Sequence, residues 1–156
     1  MKTLVLGLGN SILSDDAVGL RVIGELKNKI DRPDITILDT ELGGLNLFEL
    51  LVGYDKAIIV DAIKTAEGKP GRIYKLNLES QMGTRHTNST HHMDFASAIK
   101  LGRKMGMDLP EEIIIFGIEV DDTNTFCERC TQVIERAIPS CVTAVLDEIN
   151  VDNNTF

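Results

Sequence analysis

Several things are scarce in this 156-residue sequence, and each shortage removes a class of protein. No apolar run approaches the roughly 20 residues needed to cross a bilayer, so no membrane association is expected. Basic residues are outnumbered, 16 Lys and Arg against 24 Asp and Glu, and the net charge is −8. The lysines and arginines form no stripe, so the electrostatic footprint of a nucleic-acid binder is missing. There is no internal repeat, low-complexity tract or linker. Only three cysteines occur, an odd count that points to a reducing cytoplasm rather than a disulfide framework. The opening MKTLVLGLGN has one lysine and an apolar run cut by glycines and Asn10. It reads as a core strand, not as a signal peptide.

What is present is the composition of a soluble domain, 43% apolar and 26% charged, at a length that can bury a core. Apolar runs predict strands at Thr3 to Leu6, Ile35 to Leu38, Ala57 to Val60, Ile73 to Leu76 and Ile113 to Phe116. Val18, Val22, Ile23, Leu26 and Ile30 share one face of a helix predicted from Ala17 to Ile30. A short helix carries Leu47, Leu50 and Leu51, and another is expected over Phe95 to Met107. The last helix is expected from Cys127 to about Ile149, kinked or divided by Pro139. Glu79 to Thr90 is polar and aperiodic, and is read as a loop. The alternation implies a single α/β domain over residues 1–150, with a largely parallel twisted sheet and helices on both faces. The polar tail 151–156 is expected to fray.

The stretch VLGLGNSILSDDAVGL, Val5 to Leu20, begins like a dinucleotide-binding loop, but the third glycine of G-x-G-x-x-G is replaced by Ile12. Asp39, at the end of the second predicted strand, suits the nucleotide reading. Asp15 and Asp16 oppose it, because carboxylates beside a pyrophosphate repel it by several kcal/mol at an effective dielectric of ~20. Two readings of these residues stay open. Ser14, Asp15 or Asp16 caps the following helix, or the aspartates hold a cation.

In open parallel sheets the ligand crevice lies at the carboxyl ends of the strands. Asp61, directly after AIIV, stands at such an end and leaves from the same edge as the Asp15-Asp16 loop. Taken alone it too reads as a cap or turn residue. NSTHHMDF places His91 and His92 just before a helix predicted to begin near Asp94, with one of them expected to face the crevice. His86 is read as an inert surface histidine. Two carboxylates and an imidazole are a mixed oxygen and nitrogen set suited to a divalent first-row metal.

These residues resemble the NiFe-hydrogenase maturation proteases, over nearly the whole chain. The resemblance is carried by the run from Gly7 to Gly19, which matches G-x-G-N-x-[IL]-x-x-D-[DE]-x-x-G, and by Asp39, Gly44, IIVDA with Asp61, Ser89-Thr90-His91, and Gly117 to Glu119. It departs from the family pattern at Asp16, where glutamate is common, and at Glu41-Leu42, where many members carry glycine-threonine. The resemblance implies an endopeptidase that removes a C-terminal extension from the hydrogenase large-subunit precursor after nickel insertion. It carries over Asp16, Asp61 and His91 as the catalytic and metal-recognising trio. The nickel would be carried by the precursor rather than held permanently. An aspartic mechanism, with Asp15 and Asp16 or Asp16 and Asp61 sharing a proton, is the second chemical option. A nucleotide-dependent enzyme of Rossmann-like type and a non-catalytic nickel-binding accessory module are the alternatives in function. The C-x-x-C pair Cys127 and Cys130 is read as reduced thiols packed at a helix start, ahead of a zinc or redox role.

Overall fold

A computed structural model describes residues 1–41, 46–81, 90–121 and 124–151, with the side chains at 46, 80–81 and 90–94 outside that description. Five strands form one sheet: β1 (Thr3–Leu8), β2 (Ile35–Thr40), β3 (Lys56–Ile63), β4 (Ile73–Asn77) and β5 (Glu112–Glu119). Their order is β2-β1-β3-β5-β4. β4 runs antiparallel to β5, and the other pairs are parallel. Among the described residues five α-helices accompany them: α1 (Val18–Lys27), α2 (Asn46–Leu51), α3 (Leu78–Gln81), α4 (Thr90–Lys104) and α5 (Gln132–Val151).

The central strands are apolar at nearly every position because both faces of the sheet are covered. Val5, Ile58, Val60, Ile114 and Phe116 point into a core completed by α1 and α5. Leu4, Leu6, Ala57, Ile59 and Ile113 point into a second core under α2 and α4. The expected architecture, a single α/β domain with a largely parallel sheet, is the one observed.

The element limits differ from the sequence reading where tertiary contacts intervene. β3 does not stop before Asp61 but runs on to Ile63, because β5 continues to pair with it as far as Ile63↔Glu119. α4 begins at Thr90 rather than near Asp94, so His91 and His92 lie on helical backbone, not in a loop. The polar segment from Glu79 is not wholly a loop either. Its first residues belong to α3, where Asn77 Oδ1 accepts from the Glu79 N–H at 2.9 Å. α5 begins at Gln132, five residues after Cys127, because Cys127 is engaged in a parallel bridge with Leu13. Pro139 sits inside α5 without dividing it. Its missing N–H costs a helical hydrogen bond, but Ile134, Ile138, Cys141, Val142 and Val145 bury one continuous stripe across it. Val151, expected in the tail, is helical; residues 152–156 lie outside the described ones.

One buried charge cluster fastens the amino-terminal edge of the sheet. Lys56 is 2% exposed, and its ammonium donates to Glu148 on α5 at 2.9 Å and lies 3.3 Å from Glu112. Lys75 on β4 also pairs with Glu148. Burial pushes the Glu148 carboxyl up, but the hydrogen bonds from Lys75 and Lys56 outweigh it and hold the carboxyl below its ordinary range. A carboxylate depressed in the folded state adds stability above its unfolded pKa and loses it as pH falls through the folded value. Replacing Glu148 by glutamine removes the carboxylate that Lys56 and Lys75 share and leaves buried Lys56 with Glu112, which should destabilise by about 2 kcal/mol at pH 7. In urea titrations the gap between wild type and Glu148→Gln should narrow below about pH 4, as the wild-type carboxyl also gains its proton.

Candidate functional site

The strand order reverses direction between β1 and β3, since the chain passes from β1 outward to β2 and then returns to β3. That switch point is where the carboxyl ends of an open sheet form a crevice. β1 and β3 pair as far as Gly7↔Val60. Beyond that point the Gly9–Leu13 loop leaves β1, while β3 continues through Asp61, in register with Gly117. A 3-10 turn over Ser14–Ala17 then carries Asp16 back toward the crevice before α1 begins.

Close packing lets this turn sit so low. A Cβ on Gly19 would fall 2.4 Å from the Leu8 carbonyl oxygen and 2.5 Å from that of Val60, so α1 approaches the ends of both strands as only glycine permits. A Cβ on Gly9 would fall 2.2 Å from the Asp16 carbonyl oxygen. The glycine for close helix–strand contact is thus present, seven residues later than the position that Ile12 occupies in the nucleotide fingerprint.

Asp16 is half-buried, and its carboxyl is pushed above the ordinary range, first by burial and then by the charge of Asp61. A hydrogen bond from the Asn10 backbone partly opposes that rise. Asp16 and Asp61 therefore face the same space, and the charge of Asp61 disfavours that of Asp16. His91 lies in the first turn of α4. At the far end of that helix, the Asp108 carbonyl accepts from the Gly53 N–H ahead of β3. α4 thus runs from the carboxyl edge of the sheet toward its amino edge, with the His91 backbone at the end where the crevice opens. The imidazole itself is outside the described side chains, as is His92; His86 and Ser89 lie outside the described residues.

Asp15 has a different fate. It is 0% exposed, and its carboxylate accepts from the Thr131 N–H at 2.7 Å, the Thr131 hydroxyl and the Asp121 N–H at 3.2 Å. An Asp15–Asp16 proton-sharing dyad has no place in this arrangement. Capping also fails as an account of the motif. No side chain caps the 3-10 turn or α1, and the Ser14 hydroxyl donates instead to the Arg129 carbonyl. Asp39 pairs with Lys27 of α1 at the surface. Glu41 accepts from the Ser11 N–H and hydroxyl at 3.0 and 2.6 Å, tying the Gly9–Leu13 loop to the end of β2. That role could not be read from Glu41 as a mere departure from a family pattern.

Among the described residues no three His, Cys, Asp or Glu side chains are grouped to hold a metal. Cys130 is buried, its thiol pushed up to about 11 chiefly by that burial and then by Glu135; Cys141 is pushed to about 12 by burial alone. Thiols held so firmly in the protonated form are poor ligands and poor nucleophiles. A groove of about 430 Å³ lies against the C-terminal turns of α5, lined by Ile73, Lys75, Phe116 and Glu148 among others, and holds none of the predicted residues.

The sequence model of the hydrogenase maturation protease family matches residues 20–148. The hydrogenase 2 maturation protease of Escherichia coli (strain K12) is 31% identical over 121 residues, covering 76% of this chain and 73% of that protein. The chain belongs to the hydrogenase maturation proteases. Its structure is similar to that of the hydrogenase-maturating endopeptidase HybD from E. coli, with a TM-score of 0.81 and 25% identity over 97% of this chain and 94% of that one. A second endopeptidase structure from E. coli, determined in solution, gives a TM-score of 0.79 at 27% identity over the same shares. This hydrogenase maturation protease is accordingly a peptidase. The family match begins at Leu20, downstream of the turn that bears Asp16. No helix among the described residues is long and apolar enough to cross a membrane.

Two measurements test this description of the site. An acid whose pKa is raised on folding destabilises the fold once pH exceeds that raised value. Asp16→Asn should therefore raise Tm at pH 7, by about 1–3 °C for a chain of this size, and leave it unchanged near pH 3. With iodoacetamide at pH 8 the native protein should take one label, at exposed Cys127; mass spectrometry should find labels on Cys130 and Cys141 only after denaturation.

Proposed function

We propose that this protease removes the C-terminal extension of a NiFe-hydrogenase large-subunit precursor after nickel has been inserted, and that Asp16, Asp61 and His91 read the nickel. The observation that carries the reading is the raised pKa of Asp16 caused partly by Asp61. The charge of Asp61 raises the pKa of the Asp16 carboxyl, and a divalent cation between the two carboxylates relieves that repulsion. Carboxylate oxygens and an imidazole nitrogen suit a first-row ion. The helical backbone of α4 at the same edge supports His91 as the third donor.

The metal is the substrate's cargo, so precursor lacking nickel offers nothing to offset the repulsion and binds poorly. Seated nickel supplies Lewis-acid polarisation beside the scissile bond. The protein supplies the rest. Asp16, with its elevated pKa, accepts a proton from the attacking water as the water oxygen bonds to the scissile carbonyl carbon. The same carboxyl then returns that proton to the departing amine nitrogen as the C–N bond breaks. Asp61 supplies a second carboxylate beside Asp16, which favours a cation between them.

The same observation favours one other mechanism, in which Asp16 and Asp61 share a single proton as an aspartic pair. The precursor itself separates the two. Incubated with nickel-loaded precursor, the wild-type protein should release a C-terminal peptide detectable by mass loss. Alanine at Asp16, Asp61 or His91 should slow release by more than about a hundredfold, the scale of losing a group at the reacting centre. Full-rate processing by any of the three variants would remove that residue from the trio. Equal cleavage of nickel-free precursor would favour the aspartic pair.

A further inference from the structure

The motif Asp15-Asp16 divides into two unlike residues, and the buried one has no role in the chemistry above. Asp15 lies 116 residues from Thr131 in sequence, yet its carboxylate takes the Thr131 N–H at 2.7 Å. The Thr131 hydroxyl lies 2.9 and 3.0 Å from its two oxygens, and the Asp121 N–H reaches one of them at 3.2 Å. Around this contact residues 127–130 grip the turn at further points. The Cys127 N–H donates to the Ile12 carbonyl and the Ser14 N–H to the Cys127 carbonyl, both at 2.9 Å. The Ser14 hydroxyl donates to the Arg129 carbonyl at 3.2 Å, and the Cys130 thiol to the Ser14 carbonyl at 3.6 Å.

The grip holds a conformation the turn would not adopt alone. Ser14 has φ +40°, in the left-handed region, which costs a side-chain-bearing residue about 1 kcal/mol and persists only where surrounding contacts impose it. Four consecutive residues, Ser14–Ala17, form the 3-10 turn, so the backbone angle fixed at Ser14 and Asp15 sets the direction in which Asp16 leaves it. On the other side Gly9 packs against the Asp16 carbonyl. The turn is held between two walls.

We propose that Asp15 is a positioning residue for the protease reaction: pinned by Thr131 and the Asp121 amide, its carboxylate fixes the turn that presents Asp16 to the substrate. This rests on the role given to Asp16 above. It assigns to Asp121 and residues 127–131, and to Thr131 in particular, a share in the reaction rate without any contact with the reacting atoms. A charged acceptor is needed because three donors converge on one buried side chain, and a carboxylate accepts through both oxygens without offering a proton of its own.

The test uses full-length protein and nickel-loaded precursor, well below the unfolding temperature. Thr131→Val keeps the shape and the backbone donor but removes the hydroxyl. It should lower kcat about tenfold, as expected for a reacting group displaced by a fraction of an ångström, with KM within about twofold of wild type. Thr131→Ser restores the hydroxyl and should restore kcat. Asp15→Asn should act in the same direction as Thr131→Val, and the inference stands on the threonine pair alone if that variant fails to fold. Wild-type kcat in Thr131→Val, even with a lowered Tm, would overturn it by making the contact merely structural. Asp16→Asn in the same assay keeps the two questions apart. If it is inactive while Thr131→Val is fully active, only the positioning role is lost; if it is itself fully active, the reading of Asp16 has failed first.

Discussion

The approach of α1 to the ends of β1 and β3 depends on a missing methyl group at Gly19. With carbonyl oxygens of Leu8 and Val60 lying where a side chain would begin, any larger residue would lift the helix off the sheet. Interiors pack too tightly to absorb such a shift locally. The 3-10 turn that precedes α1 would rise with it, and Asp16 with the turn. The depth of the crevice at the strand switch point, and the proximity of Asp16 to Asp61, both follow from that close contact.

The two edges of the sheet treat buried carboxylates in opposite ways. At the amino edge Glu148 is met by Lys56 and Lys75, and its charge is comfortable there. At the carboxyl edge Asp16 is half-buried and confronts Asp61, and its charge is not. Both are acids against one sheet, so the contrast comes from what surrounds them rather than from their chemistry. Local discomfort of this kind persists in folded proteins mainly where a ligand relieves it. The stable edge secures α5, and α5 begins directly after the segment that grips the Asp16 turn.

Sheet, layers and strand positions were legible because period and composition report burial directly. Strands buried on both faces are almost wholly apolar, and every predicted one is present. The limits were less legible. Asp61 looked like a strand end because charge interrupts an apolar run, whereas backbone pairing to β5 carries the strand on to Ile63. Pro139 looked like a break because its local cost is plain in the sequence and the compensating stripe on α5 is only partly so. In the site, the convergence of Asp16 with Asp61 could be foreseen from sheet-edge topology. The fate of Asp15 could not. Its partners are Thr131 and the backbone of Asp121, more than a hundred residues away, and nothing in a threonine or an amide marks it as an acceptor's destination. Glu41, reaching back to Ser11, was hidden for the same reason.

The bridge between Leu13 and Cys127 joins chain segments from opposite ends of the sequence. Closing a loop of that length carries an entropic penalty of about 4 kcal/mol before any contact rewards it. During synthesis β1 emerges early, but the donors that shape the following turn emerge more than a hundred residues later. A ribosome-bound chain that has exposed only its first strand therefore lacks the contacts that fix the Asp16 turn. That turn takes up its fixed geometry only when residues 124–131 have emerged and docked against it.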